Sequence, residues 1–403
     1  MPLIVVYNPV SGDRSGSKLA TETIVPLLIS HSIVPDKVAA TEYPGHAGTL
    51  LLSYIDSLTP SSRTEGITLV LISGDGTLHE IVNALHSARS KQNDSFPSLR
   101  IILIPGGTAN ALHASFFPPE SASDAEPTLL ASLLSFLSAT PRLVPLTFAY
   151  TTISPPAPGT EPAGPSASAV VSTVVTSTSL HAAILHDSEA LRASIPGIER
   201  FKLAAAQNAT TWYRARARLL APIQRYDITS GAFVPVTPNS HGNPEEHLEL
   251  PGPFAYFLST VNVDRLEPFF RIAPLQRTLP PPHGAQTMDV LIVRPLRDPS
   301  LDGKSGEAER ERFKERLWEV LGAAYRDGAH IHVRYAEGDG KTDGPPVVEY
   351  FRVGGWEWIP EEDDEKARLL CADGAIFHAP EGGKLVSNVL GRTAHDFRVA
   401  IYA

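Results

Sequence analysis

Cysteine is almost missing from this chain. Cys371 is the single one among 403 residues, so no internal disulfide can form, and no CxxC or Cys/His spacing exists to hold zinc. Such usage suits a reducing, cytoplasmic compartment. An excess of positive charge is also missing: 34 Lys and Arg stand against 44 Asp and Glu, a formal net charge of −10, which excludes a generally basic nucleic-acid binder. Long apolar runs are scarce. The opening Met1–Tyr7 stretch has no basic flank and is cut short at Asn8-Pro9, so no signal peptide is expected. Pro162–His186 carries no formal charge, but it is rich in Ser and Thr, opens on Pro162 and Pro165, and is β-branched around Val170-Val171 and Val174-Val175. It reads as loop then strand, which leaves only peripheral contact with lipid.

What is present points to a globular protein. At 42% apolar and 19% charged residues the chain can bury real cores, and its length suggests two or three domains. Proline is concentrated in Ser154–Pro158, Pro162, Pro165 and Pro280–Pro282, which are loop signals. Up to Pro141 short strands alternate with helical segments: Leu3–Tyr7 then Gly16–Ser30, Ile67–Ile72 then Leu78–Ser87, Ile101–Ile104 then Ala111–Phe116. That alternation predicts a parallel sheet covered by helices. Beyond Pro141 the runs Ala169–Thr176, Phe254–Val261, Met288–Val293, Ile331–Tyr335 and Val347–Val353 predict strands, so the division is placed at 1–141 and 142–403. Two helices are expected in the second part. Glu307–Tyr325 has an apolar stripe of Phe313, Leu317, Val320, Leu321 and Ala324, and Ile198–Ile223 carries a basic stripe of Arg200, Lys202, Arg214, Arg216 and Arg218, read chiefly as a solvated face. The run Glu361–Glu365 reads as an exposed acidic loop.

The chemistry concentrates where three predicted strands each end in a loop of small and amide residues. Leu3–Tyr7 runs into Asn8-Pro9-Val10-Ser11-Gly12, Ile67–Ile72 into Ser73-Gly74-Asp75-Gly76-Thr77, and Ile101–Ile104 into Pro105-Gly106-Gly107-Thr108-Ala109-Asn110. In an open parallel sheet ligands bind beyond the carboxyl ends of the strands, where glycine lets the backbone approach phosphate. A Walker A loop is excluded, because the first glycine that Gly340-Lys341-Thr342 would need falls on Tyr335. A dinucleotide fingerprint is excluded because its third glycine falls on His79. Thr77 with Glu80 fits a capping box at the start of the following helix.

Together these segments resemble the diacylglycerol-kinase catalytic-domain superfamily, and within it the sphingosine-kinase-like lipid kinases. Asn8–Gly12 is similar to the family's Asn-Pro-x-Ser-Gly loop. Ser73–Thr77 resembles Gly-Gly-Asp-Gly-Thr with serine in first place, Pro105–Asn110 its third loop, and Thr41 with Gly45-His46-Ala47 a further nucleotide-side motif. The resemblance implies an enzyme that transfers the γ-phosphate of ATP, with Mg2+ held mainly by the ATP phosphates, to the hydroxyl of a lipid alcohol of sphingoid-base or diacylglycerol type. It implies Asp75 as the catalytic acceptor of the hydroxyl proton. The nucleotide would be lined by Asn8, Ser11, Gly12, Thr41, Ser73, Gly74, Gly76, Thr77, Glu80, Gly107, Thr108 and Asn110. Ser188–Arg192 with Arg200 resembles the segment whose two arginines hold phosphates; the competing reading pairs either arginine with an acid such as Glu189. Asp373-Gly374 resembles the late Asp-Gly-Glu element that returns to the nucleotide.

Two positions depart from the family pattern. Ala183 and Leu185 stand where sphingosine kinases carry an Asp-x-Asp facing the substrate amine, which leaves Asp187 as the nearest acid, and Ala375 replaces the glutamate of Asp-Gly-Glu. The expected architecture is a Rossmann-like three-layer nucleotide domain followed by a mainly antiparallel β-sandwich. The sandwich's inner face would accept the lipid chain, its C-terminal end would return to the nucleotide, and the active site would lie in the cleft between the two domains. An NAD kinase-like phosphotransferase is the competing enzyme, and a catalytically silent nucleotide- or lipid-binding regulator the competing class.

Overall fold

The computed structural model describes all residues except 90–96, 120–127, 157–167, 193, 196, 238–246, 283, 337–343 and 391–397. The Gly340–Thr342 triplet and the Pro158, Pro162 and Pro165 loop signals therefore lie outside the described residues. The chain divides into two compact units, one of residues 1–147 with 265–268 and 391–403, the other of 148–264 with 269–390.

In the first unit β1 (Leu3–Tyr7), β2 (Lys37–Ala40), β3 (Ile67–Ser73) and β4 (Leu99–Pro105) form a parallel sheet in the order β2-β1-β3-β4. Its central strands are apolar on both faces, as strands covered by helices from both sides must be. Leu3, Val5, Val70, Ile72, Ile102 and Ile104 pack on Ala20, Ile24 and Leu28, which lie in a stretch helical from Gly16 to Ser30. The helices His46–Ser57 and Asp75–Arg89 pack closely on each other, an added Cβ at Gly48 coming 2.4 Å from that of Ala84.

The domain division expected at 141/142 changes in two places. Leu143–Pro145 is β5 of this same sheet, and the C-terminal strand Val399–Tyr402 inserts between β4 and β5, parallel to the first and antiparallel to the second. Strands of three and four residues offer too little alternation to be assigned to a sheet from sequence.

The second unit is antiparallel, with twelve strands among the described residues. Its spine is Glu349–Pro360, which pairs along one side with Ala215–Asp227 and on the other first with Met288–Val293, then with Lys384–Val389. The register shifts between Val353 and Gly355, where two steps along this strand match three along Ala215–Asp227, and the spine's side-chain parity changes there. Phe351 and Val353 before the shift, and Trp356 and Trp358 after it, consequently face one core, shared with Phe254, Phe257, Met288, Val290 and Ile292. That inner face is filled by its own side chains. The outer face of Met288–Val293 is covered by the helix Glu307–Ala324 through Leu317 and Val320.

Three expected elements come out differently. Ile198–Ile223 is a helix only over Glu199–Asn208; from Ala215 it is strand. The Ala-Arg alternation has strand period, with Ala215, Ala217 and Leu219 buried, and its basic stripe is neutralised across the sheet. Arg216 and Arg218 meet Glu249, and Arg218 lies 2.9 Å from Glu357. Ile331–Tyr335 is not a strand: Ile331 and His332 close the 3-10 turn Ala329–His332, and Arg334 makes one bridge to Pro346. Of the loop-then-strand reading of Pro162–His186, the loop part lies outside the described residues, the strand part is met by Ser168–Ser172 and Val175–Thr178, and the last stretch is instead the helix Ser179–Ala190. The acidic run is partnered, with Arg214 reaching Glu361, Asp363 and Asp364. Among the described residues no helix is long and apolar enough to cross a membrane.

Candidate active site

The order β2-β1-β3-β4 sets four loop starts side by side on the carboxyl edge of the sheet. Tyr7 is in register with Ile72 and Ala40, and Ser73 with Pro105. Hydrogen bonds from Asn8 N to Ile72 O, Gly106 N to Ser73 O and Thr41 N to Tyr7 O continue the ladder past the strands. Beyond that edge the three glycine loops touch backbone to backbone. An added Cβ would lie 2.6 Å from Gly106 O at Gly12, 3.0 Å from Gly107 Cα at Gly74, and 2.5 Å from Gly74 Cα at Gly107. Only glycine permits that approach, and Gly12 also needs it for its φ of +53°. Gly76, one residue past Asp75, faces open space. Asn8, Ser11, Gly12, Thr41, Ser73, Gly74, Gly76, Thr77, Gly107, Thr108 and Asn110 thus all belong to one edge of one sheet.

Asp75 opens the helix Asp75–Arg89, so Thr77 lies inside the first turn rather than at the cap, and its N–H donates to Gly74 O. The capping box expected of Thr77 and Glu80 is therefore not the start of this helix. The Asp75 carboxylate crosses to the third loop, accepting the Ala111 N–H at 2.6 Å on Oδ2 and the Leu112 N–H at 3.2 Å on Oδ1. Two backbone donors fix the plane of a group that offers about four acceptor positions. The residue stays partly accessible.

Beneath the loops is a cavity of about 10 Å3, space for one water, bordered by Ser73, Gly74, Asp75, Asn110 and His113. His113 went unnoticed in the sequence. Its ring is buried, which pushes its pKa down to about 4 and keeps it neutral at pH 7, and among the described residues Nε2 has no hydrogen-bond partner. The signal available was its place three residues after Asn110, one helical turn into Ala111–Phe116.

Arg192, Arg200, Asp187 and Asp373 lie in the second unit. Arg192 forms an exposed 2.8 Å pair with Glu189, the competing reading of that arginine. Arg200 lies over the Phe201 ring at 4.6 Å, with its Nε buried and without a hydrogen-bond partner among the described residues. Asp373-Gly374 is the two-residue turn between Leu369–Ala372 and Ala375–His378, with φ of +49° and +94° as a type I′ hairpin requires. The Asp373 carboxylate accepts the N–H groups of Thr173, Val174 and Val175 and the Thr173 hydroxyl, all between 2.7 and 3.1 Å. It locks the turn between two strands of its own sheet. Asp187 receives Asn208 at 2.7 Å, Lys366 at 2.8 Å and His186 at 2.8 Å. Burial raises its carboxyl, but these donors outweigh that and hold it at about 2. Among the described residues no group of three or more His, Cys, Asp or Glu side chains is placed to hold a metal ion.

Residues 2–135, the segment carrying all three loops, match the family model for the diacylglycerol kinase catalytic domain. The curated relative Sphingoid long chain base kinase 5 of Saccharomyces cerevisiae is 32% identical over 113 residues, which span 28% of this chain and 15% of that kinase. Two solved structures of a Bacillus anthracis str. Sterne protein assigned as a diacylglycerol kinase share the fold over 100% of this chain and 97% of theirs. Their TM-scores are 0.52 and 0.50, at 14% and 15% identity. The similarity to the diacylglycerol kinase catalytic domain is thus carried by residues 2–135, about a third of the chain.

Proposed function

We propose that the protein is an ATP-dependent lipid kinase in which Asp75 accepts the proton of a lipid hydroxyl as that oxygen takes the γ-phosphate. The observation that carries this reading is the convergence of the Asn8–Gly12, Ser73–Thr77 and Pro105–Asn110 loops around a half-buried acid whose plane is fixed by the Ala111 and Leu112 N–H groups. A carboxylate suits this task because the alcohol proton becomes acidic only late, as the new bond forms. The glycine loops offer backbone and space rather than lysine, which fits triphosphate held by N–H groups, with Mg2+ on the phosphates neutralising their charge.

The acceptor favoured is a neutral lipid alcohol. Asp187, the acid nearest in sequence to the family's amine-facing position, is already committed to the Lys366 ammonium and to Asn208, so a substrate amine would have to displace an internal one. Residues 148–390 supply the lipid-binding part; since Trp356, Trp358, Phe254 and Phe257 fill the inner face, the chain's seat lies outside that core. Contact with the membrane is peripheral. The test is purified protein with labelled ATP and Mg2+ against diacylglycerol, monoacylglycerol, ceramide, sphingosine and NAD, with Asp75→Asn as control. Label in a neutral lipid that vanishes in Asp75→Asn is expected. Label in NADP would favour the NAD kinase-like reading, and nucleotide binding without turnover would identify a silent regulator.

A further inference from the structure

Asn110 was grouped with the residues lining the nucleotide, but its side chain is otherwise engaged. Its amide Nδ2 donates to Gly107 O at 2.7 Å, and its Oδ1 accepts the Gly107 N–H at 2.7 Å. Both ends of the amide are closed onto the peptide groups of one residue. The backbone of Asn110 is left-handed, φ 53° and ψ 50°, which turns the chain so that the next two N–H groups, Ala111 and Leu112, reach the Asp75 carboxylate. Gly107 in turn rests on Gly74, the residue before Asp75, so closely that a Cβ on Gly107 would lie 2.5 Å from Gly74 Cα and one on Gly74 3.0 Å from Gly107 Cα. The loop is therefore tied to Asp75 at two points: through Gly107 on Gly74, and through Ala111 and Leu112 on the carboxylate.

We infer that Asn110 is a positioning residue whose closed amide pair on Gly107 sets the orientation of Asp75, rather than a ligand of the nucleotide. This rests on the reading of Asp75 as proton acceptor. A carboxylate that must meet a hydroxyl as it attacks works only in a narrow range of orientations, and a displacement of about 1 Å costs on the order of 100-fold in rate. Asn110 controls that orientation without touching either substrate.

Asn110→Gly separates the parts, because glycine keeps the left-handed backbone while removing both side-chain hydrogen bonds. The expected result is a fall in kcat of about 10- to 100-fold, with the affinity for a non-hydrolysable ATP analogue, measured by calorimetry, within about threefold of the parent. Faster amide hydrogen exchange at Ala111 and Leu112 should accompany it. Asn110→Ala, which also strains the backbone, should lower kcat further. A loss of analogue affinity as large as the loss of kcat would make Asn110 a nucleotide ligand, and unchanged exchange at Ala111 and Leu112 would remove the clamp; either overturns the inference. Should the unaltered chain phosphorylate no lipid, the function fails on its own, while the exchange measurement still decides whether the clamp exists.

Discussion

Replacing Gly107 with alanine puts the convergence of the loops to a direct test. The new Cβ would lie 2.5 Å from Gly74 Cα and 3.1 Å from Gly74 N, where ordinary contact begins near 3.4 Å. The Asn110 Oδ1 also lies 3.0 Å away, but the two Gly74 atoms are backbone and cannot swing aside, so roughly 1 Å of relief must come from separating the two loops. Overpacking of this kind costs about 1–3 kcal/mol, which for a unit of this size lowers the melting temperature by about 2–4 °C per kcal/mol. The same separation carries Ala111 and Leu112 away from Asp75. A shift of about 1 Å there corresponds to a loss in kcat on the order of 100-fold. The assay is initial-rate phosphorylation of the preferred lipid in mixed micelles, alongside a thermal melt. Gly76→Ala is the control: its Cβ would meet nothing within 4 Å and it sits in the first turn of a helix, so the fold should tolerate it or gain about 0.5–1 kcal/mol. If Gly107→Ala matched the parent in both kcat and melting temperature, the contact between the two loops would be refuted, and the site with it.

Asp75→Asn should lower kcat by about 100- to 10,000-fold, the usual worth of a positioned proton acceptor, and lipid phosphorylation that persisted would remove Asp75 from the chemistry. Asp373→Asn leaves four donors facing a group that no longer accepts from all of them, at about 1–3 kcal/mol for each buried donor left unpaired. It should reduce the melting temperature while ATP-analogue affinity stays put, and the opposite pattern would return Asp373 to the nucleotide. Arg352→Leu leaves the fully buried Asp289, which Arg352 grips with two nitrogens at 2.7 and 3.0 Å, with the Tyr350 hydroxyl but no cation, and should cost about 3–5 kcal/mol in urea unfolding. Asp187, held at about 2 against an ordinary value of 3.8, contributes stability that is fully present above pH 4 and drains away as pH falls through about 2. In Lys366→Met that acid-range loss should shrink, as read from melting temperature between pH 5 and pH 2.

Much of the first unit was legible because its central strands are buried on both faces and hold apolar runs that end in glycine loops, as Leu69–Ile72 and Ile101–Ile104 show. The placement of those loops on one edge followed from parallel order alone. The strand Ala215–Asp227 was obscured because alanine and arginine are both good helix formers, so local propensity argued against the fold. Glu249 and Glu357, distant in sequence, reward the extended form with cross-strand ion pairs. The membership of Val399–Tyr402 in the first sheet was hidden for a related reason: nothing within four residues states which sheet edge is open.

Asp75 and Asp373 show why an Asp-Gly pair cannot be interpreted from its letters. Each is followed by glycine, and each carboxylate is held by consecutive backbone N–H groups. Around Asp373 the donors number four and the residue is 6% exposed, so its acceptor capacity is spent joining one turn to another. Asp75 takes two from the third loop, remains partly accessible, and stands beside an open glycine at the edge where three strands end. The strand pattern around each aspartate separates the two cases. Asp373 sits between two short apolar strands that pair antiparallel, the setting of a type I′ turn, whereas Asp75 follows a buried parallel strand and begins a helix. A buried acid that satisfies its neighbours stabilises a fold. An acid held in place and still reachable is the one equipped to move a proton.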